Sequence, residues 1–424
     1  SFADAHCLPH VWAMPKPWNE EKNGLVREFL PHFFLGQENQ AHVNELIACF
    51  DLMQHADSLG SIMKFELSDS TRLLVKQTVE YWHNQDFIPE AIRAQLPAFE
   101  LILALTEKYH ALVMNPPYMG AGSMNEVLSK YVKDEYKDSK GDLATVFVEM
   151  MGQRSSAHGR YAFIIPPSWM FLSNFESLRK NIIANQTIDS LLHLSRGVFG
   201  ADFGASSAVI SNTKNPDACG TYFRLVERTF QEFDQKHLKL LFEKTLANND
   251  FRYYFKDYTK DVEDIVYSEN GAKIYYPNIP QSNFEKIPGC PMGYWVGKSF
   301  LKIFSNKNLK DLTISDGQTK TGDNNKYLRL WWEISNYNFG KTRKWVKHPK
   351  GGGFRRWYGN IDTVIDWSEN ARRHYRKDKV ARILPNYLWW RKGILWNLIS
   401  SGIQSFRIYN DDEIFNLAAP TLFF

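Results

Sequence analysis

Two short apolar runs, His110–Met114 and Arg160–Ile165, each stop at a proline pair, Pro116-Pro117 and Pro166-Pro167. Proline has no amide N–H and holds φ near −65°, so neither run can continue through its pair as an interior strand or a helix. Both runs therefore read as strands whose carboxyl ends open abruptly into loops. Around them, Leu143–Met151 has helical spacing, and Asn174–Ile183 is a second helix with Ser173 or Asn174 as its cap. Ile188–Leu194 and Ser207–Ile210 are further strands. Strands alternating with helices predict an α/β fold with a mainly parallel sheet. The last two strands leave no room for a helix between them and are expected to pair antiparallel at the sheet edge.

Flanking this block, residues 1–110 read as mostly helical, with apolar residues spaced along Val43-Leu46-Ile47-Phe50 and Pro97–Leu105. Residues 111–226 form the α/β core, and the polar, aromatic stretch 227–290 reads as a connector. An α+β domain is expected over 291–424, with short strand-like runs and turns at Gly351–Gly353, Tyr358–Asn360 and Tyr409–Asp412.

Charge separates these parts. Residues 296–424 hold 23 Lys and Arg against 11 Asp and Glu, while the first 295 hold 28 against 36. The stretch 341–392 is steeper, with 15 basic and 4 acidic residues, and 8 of the 13 tryptophans follow residue 295. A basic block interleaved with aromatics suits a polyanion, and nucleic acid is the usual one. No stretch of 18 apolar residues and no charged-then-apolar leader occurs, so neither membrane insertion nor secretion is expected. Cys7, Cys49, Cys219 and Cys290 form no CxxC pair, which argues against a disulfide framework and for a reducing cytoplasm.

Asn115-Pro116-Pro117-Tyr118 carries the chemistry. Ligands of open α/β sheets bind beyond the carboxyl ends of strands, where this tetrapeptide lies. A ring-conjugated exocyclic amine is a poor nucleophile because its lone pair is delocalised. The Asn115 side-chain oxygen and the Pro116 carbonyl can each accept one of its N–H groups and free the lone pair. Pro116 and Pro117 stiffen the backbone so that both acceptors converge, and Tyr118 offers a face for a base turned out of the duplex. A strand merely closed by Pro-Pro is the plainer alternative.

The run LVMNPPYMG, with GDLATVFVEM, GRYAFIIPPSWMFLSNFESLRKNII and VFGADFGASSAVI, resembles the DNA N6-adenine methyltransferases, in particular those of BREX phage defence, relatives of single-chain restriction–modification enzymes. GQTKTGDNNKYLRLWWEIS, KHPKGGGFRRWYGN and ILWNLISSGIQSFRIYNDDEIFNLAAP resemble that group's target-recognition domain. The resemblance covers roughly residues 105–424. It implies a partial Rossmann-like class I methyltransferase sheet, S-adenosylmethionine as methyl donor, double-stranded DNA as partner, and other defence proteins as companions.

Residue by residue, the resemblance places Asn115, Pro116, Pro117 and Tyr118 at the target amine. Asn115, Pro116 and Asp142 then lie next to the methyl donor, with a plain helix N-cap as the alternative for Asp142. Phe203 or Phe199 would close on the flipped base, though core packing is the simpler role for Phe199. Pro166, Pro167 and Trp169 would shape the pocket wall. The family's Gly-rich donor turn precedes this tetrapeptide, yet residues 1–110 hold only the isolated Gly24, Gly36 and Gly60. A fragment that begins after the first strands of the sheet is expected on that ground.

In the basic domain, Lys347, Lys350, Arg355 and Arg356 around Gly351–Gly353 are the candidates for phosphates. Gln318, Lys320, Asn324 and Arg343 are the candidates for base edges. Trp331, Trp332, Trp389 and Trp390 are expected in the core. HExxH, Gly-x-Ser-x-Gly and Walker patterns are lacking, so no metal site, serine hydrolase or P-loop is expected. Two other readings stay open: methyl transfer to RNA adenine or protein glutamine, and a DNA-recognition module without catalysis.

Overall fold

The computed structural model describes residues 10–14, 20–198, 203–227, 231–259, 263–400 and 402–424. The chain divides into two compact units, residues 1–302 and 303–424.

In the first unit, helices α1 (Glu20–Phe33), α2 (Gln40–Met53), α3 (Asp69–His83) and α4 (Glu90–Thr106) come before any strand. Asn39 caps α2 by accepting from the His42 amide, and Ser68 caps α3 by accepting from Thr71. Phe33 stacks on Phe99 at 3.9 Å between centroids, and the Trp82 indole donates to the Phe33 carbonyl at 2.9 Å. These side chains are continuous with the core beneath the sheet, so the helical segment is part of the same body.

Strand β1 (Tyr109–Met114) follows, then α5 (Glu126–Glu135), α6 (Leu143–Arg154), β2 (Ser155–Ile165) and α7 (Glu176–Asn185). Next come β3 (Thr187–Arg196), β4 (Gly204–Ser211), β5 (Cys219–Arg224), α8 (Gln235–Ala247) and β6 (Tyr275–Pro280). The sheet order is β1-β2-β4-β3-β5-β6. β1–β2 and β3–β5 are parallel, while β2–β4, β4–β3 and β5–β6 are antiparallel. The α/β expectation holds, but the sheet is mixed, because the link from β3 to β4 is too short for a crossover helix. The antiparallel β3–β4 pair lies inside the sheet, where its apolar residues Leu191, Ala208 and Ile210 are buried.

Three local readings change. The 227–290 connector supplies β6 to the sheet and α8 to a satellite core around Phe233, Leu241 and Phe251. Helix α7 starts at Glu176 after a 3-10 turn, and Phe175 precedes it without a side-chain cap, in place of Ser173 or Asn174. Pro291–Trp295, read as the opening of the second domain, packs on the first. The Met292 amide donates to Met170 at 2.9 Å, and Tyr294 stacks on Tyr222 at 4.8 Å.

The second unit is built from β7 (Leu328–Leu330), β8 (Trp345–Lys347), β9 (Thr363–Asp366), α9 (Glu369–Lys377), β10 (Gly393–Trp396), β11 (Phe406–Tyr409) and β12 (Thr421–Phe423). Two three-stranded antiparallel sheets, β8-β9-β7 and β11-β10-β12, share a core of Val346, Ile365, Trp367, Leu384, Leu395 and Phe423. Trp389 and Trp390 pack against it. Trp331 and Trp332 do not; they lie 52% and 59% exposed on a 3-10 turn after β7. No helix of the described residues is long and apolar enough to cross a membrane.

Candidate functional site

β1 delivers Asn115 at its carboxyl end, and the proline pair then ends the strand in irregular chain. Pro116 is buried, Asn115 and Pro117 are exposed, and Tyr118 is half-buried. The Tyr118 hydroxyl faces two acceptors, Asn115 Oδ1 at 2.8 Å and the Ile164 carbonyl at 3.1 Å. That hydroxyl thus ties the tetrapeptide to the end of β2, and burial pushes its pKa up. Asn115 Oδ1 is aimed by this contact and keeps a second lone pair for another donor.

Tyr118 and Phe203 meet edge to face, 5.4 Å between centroids at 79°. Phe203 stays 42% exposed, so the two rings meet at the surface. Phe199 lies outside the described residues.

Asp142 reaches the same place by a backbone route. Gly120 and Asp142 form an isolated antiparallel bridge, and the Leu143 amide donates to Met119 at 2.8 Å. The Asp142 carboxylate caps α6, accepting from the Ala144 amide at 2.8 Å. The cap role is therefore present, and Asp142 pairs with Gly120, two residues beyond Tyr118. A Cβ on Gly141 would approach the Phe175 ring to 3.0 Å, so a larger residue there would have to shift that ring.

Pro166 and Pro167 open a 3-10 turn in which Trp169 is fully buried and donates to Ser206 Oγ at 2.9 Å. Its wall role is structural. Arg179, which the sequence reading missed, holds that wall. Only 1% exposed, it donates to the carbonyls of Trp169, Leu172, Gly289 and Cys290 at 2.7 to 3.1 Å. A lone arginine on an amphipathic helix has no sequence signature for such a task.

In the second unit, the chain segment 413–417 runs between the two groups of candidates. It bridges Lys347 through Glu413 on one side and Thr319 through Asn416 on the other. Gln318 and Lys320 therefore lie two segment-spacings from Lys347, and the Lys320 backbone pairs with that of Arg382. Asn324 accepts from the Thr321 hydroxyl at 2.7 Å, and Arg343 is exposed.

The phosphate cluster does not act as one free patch. Lys347 is paired with Asp412 at 2.8 Å, and Lys350 is half-buried with its pKa lowered by desolvation. Arg355 and Arg356 remain exposed. Beneath them His348 is fully buried, bonded to the Ile414 carbonyl at 2.6 Å and facing the Asn416 amide at 3.1 Å. Desolvation holds its imidazole down at about 3, so it is neutral. Among the described residues, no group of three or more His, Cys, Asp or Glu is placed to hold a metal ion.

Residues 40–199 match the family described as Eco57I restriction-modification methylase. The adenine-specific methyltransferase PglX of Lacticaseibacillus casei (strain Zhang) is 33% identical over 327 residues, covering 72% of this chain and 25% of that protein. The adenine-specific methyltransferase BrxX of Escherichia coli O9:H4 (strain HS) is 28% identical over 403 residues, covering 92% of this chain and 30% of that protein. A solved structure of the Type IIL restriction-modification enzyme MmeI in complex with DNA aligns at TM-score 0.41 and 10% identity, covering 90% of this chain and 54% of that one. The chain thus spans 25% and 30% of the length of the two curated relatives.

Proposed function

From its relation to the Eco57I-type restriction-modification methylases and to the adenine-specific methyltransferases PglX and BrxX, we propose that this chain is the adenine-handling and target-recognition part of a DNA adenine-N6 methyltransferase. The whole enzyme marks DNA in a bacterial phage-defence system and works in the cytoplasm. The observation that carries this reading is the Asn115 amide oxygen held in place by Tyr118 at the open end of β1, with Phe203 beside the Tyr118 ring.

A flipped adenine stacks on Tyr118 after Phe203, whose ring meets that of Tyr118 edge to face in this structure, swings aside to close over the base. Its exocyclic N–H groups donate to Asn115 Oδ1 and the Pro116 carbonyl. Each hydrogen bond draws the nitrogen toward sp³ geometry and frees the lone pair that receives the methyl group. No side chain needs to remove a proton beforehand, because the amine becomes acidic only as the new bond forms. The stack and the two acceptors fix its position, which is where much of the rate gain of such a site arises.

S-adenosylmethionine is the donor in this reading, but the residues of this chain do not fit a complete donor site. Every element described before β1 is helical, and Gly24, Gly36 and Gly60 stand singly, so among the described residues there is no strand–glycine turn–helix unit before the tetrapeptide. Asp142 and Asn115 border that site without forming it. The open edge of β1, where Val113 is 84% exposed, is where further sheet would add. The second unit selects the target: it carries 21 Lys and Arg against 11 Asp and Glu, which favours nucleic acid over a protein glutamine as acceptor.

The test is transfer of labelled methyl from S-adenosylmethionine to unmodified plasmid DNA, by this chain and by the full-length polypeptide. Label recovered as N6-methyladenine with the full-length protein alone is the expected result. Label with the short chain as well would show that a donor site lies within residues 1–110. No label with either, while DNA is still bound, would replace the enzyme with a recognition module.

A further inference from the structure

Between β8 and β9 the loop Gly351–Asn360 is exposed at its tip and anchored at its base. Phe354, Trp357 and Tyr358 are 52%, 65% and 64% exposed, and Arg355 and Arg356 stand beside them. Residues 350–361 include no Asp or Glu, and no ion pair to Arg355 or Arg356 is present among the described residues.

The anchor is a buried guanidinium. Arg407 on β11 is 1% exposed and donates to the Gly359 carbonyl at 2.9 Å, the Lys350 carbonyl at 3.2 Å and Asn397 Oδ1 at 2.8 Å. Asn397 Nδ2 in turn donates to the Gly352 carbonyl at 2.7 Å. Both ends of the loop are therefore tied to one pair of buried side chains.

Trp357 itself is held in a left-handed backbone, φ +72°. Its amide donates to the Phe406 carbonyl and its carbonyl accepts from the Ile408 amide, each at 2.9 Å, so β11 pins it from both sides. A bulky aromatic residue is disfavoured at such a φ, and glycine would take it freely. A large ring kept outside on a strained, over-determined backbone is the pattern of a ligand-facing residue. The flat faces and unpaired guanidinium groups, on a unit with excess positive charge, fit a polyanion that carries bases.

We propose that Phe354–Tyr358 is a preformed probe that sets Trp357 against the bases in a groove of duplex DNA, with Arg355 and Arg356 on flanking phosphates. Arg407 and Asn397 are the positioning residues that hold it. The proposal rests on the DNA-binding reading above and adds to it an aromatic contact and the side chains that aim it. Apolar and aromatic wedges flanked by arginine are an established way of gripping a duplex.

Affinity of the full 424-residue chain for mixed-sequence duplex DNA, measured across a salt series, separates the parts. Aromatic contact is nearly independent of salt, whereas each phosphate contact contributes about 0.9 to the slope of log K against log salt. Trp357→Gly is expected to weaken binding about fivefold to a hundredfold at every salt concentration with the slope unchanged. Its thermal midpoint should stay level or rise, since glycine relieves the left-handed backbone. Arg355→Ala with Arg356→Ala should flatten the slope by about 1.8. Asn397→Asp keeps the acceptor for Arg407 and loses the tether to Gly352; combined with Trp357→Gly, its effect on affinity should be less than additive. Unchanged binding in Trp357→Gly, or binding and thermal midpoint falling together, overturns the probe. Strict additivity of the pair overturns the positioning role. Failure of the unmodified chain to bind duplex DNA at low salt overturns the DNA reading itself, a result distinct from either.

Discussion

The loop that follows β1 and the loop that precedes β9 both offer an aromatic face beside polar groups, yet they are built by opposite means. In the first, four consecutive residues do nearly everything. The proline pair stiffens the backbone, and Tyr118 bonds back to Asn115 three residues earlier at 2.8 Å. In the second, the chain is rich in glycine and would be loose by itself. It is held by Arg407, 48 residues beyond Gly359, and by Asn397, 45 residues beyond Gly352. A local device with few partners suits the close positioning that the proposed bond-making chemistry demands. A loop held from below can change its tip without disturbing its anchor, which suits recognition.

The sharpest way to break this contrast is Asn115→Ala. Loss of one acceptor at the target amine is expected to lower methyl transfer by the full-length enzyme by about a hundredfold to a thousandfold, comparable to removing an oxyanion-hole donor. Duplex affinity should change less than about twofold, which gel-shift titration would check. Equal losses in both would mean that the first loop also serves recognition.

Arg407→Ala attacks the second loop. It leaves the Gly359 and Lys350 carbonyls and Asn397 without their buried donor, at a cost of about 3 kcal/mol or more. Calorimetry should show an early transition for the second unit, with the first unit's transition in place. A single transition that moves as a whole would show that the two units melt together.

Acid should separate the units next. Burial holds His348 at about 3 and His193, in the first unit, at about 4, the latter with help from the nearby Arg224 charge. An unfolded histidine takes its proton near 6.5, so below that pH the unfolded chain binds more protons than the folded one and stability falls. Each buried imidazole costs roughly 1.4 kcal/mol per pH unit through its window. The window closes at about 4 for His193 and about 3 for His348, so of these two only His348, in the second unit, still adds to the loss in the last pH unit. Thermal melts from pH 7 down to pH 3 would test it, and His348→Gln should blunt the slope for the second unit.

Tyr118→Phe is the gentlest probe. The ring remains for stacking, but the hydroxyl contacts to Asn115 and Ile164 are lost, at about 1 kcal/mol or a few-fold in rate. Tyr118→Ala should cost more by removing the stack. If the two variants are equally impaired, aiming of Asn115 matters more than stacking.

Much of the first unit could be read in advance because its signals are local. The strand endings at the proline pairs, the α6 cap at Asp142 and the antiparallel β3–β4 pair all follow from neighbours within a few residues. The misreadings share the opposite cause. β6 arrives from a polar stretch more than 50 residues after β5, and nothing local marks it as the sixth strand. Trp331 and Trp332 were expected inside because burial is the default for large aromatics, but the turn after β7 leaves them on the surface. Lys347 was a free cation on paper; folding brings Asp412 to 2.8 Å and neutralises it.

The sequence by itself determined where strands stop, which residues could face an exocyclic amine and which half of the chain carries positive charge. Backbone sterics, hydrogen-bonding capacity and formal charge belong to residues and survive in any fold. Tertiary structure alone decided which cations stay unpaired, that Arg179 and Arg407 are buried hubs, and that Trp357 is pinned outward. Those properties depend on what the chain brings alongside from tens of residues away, and desolvation and pairing energies exist only once that contact is made.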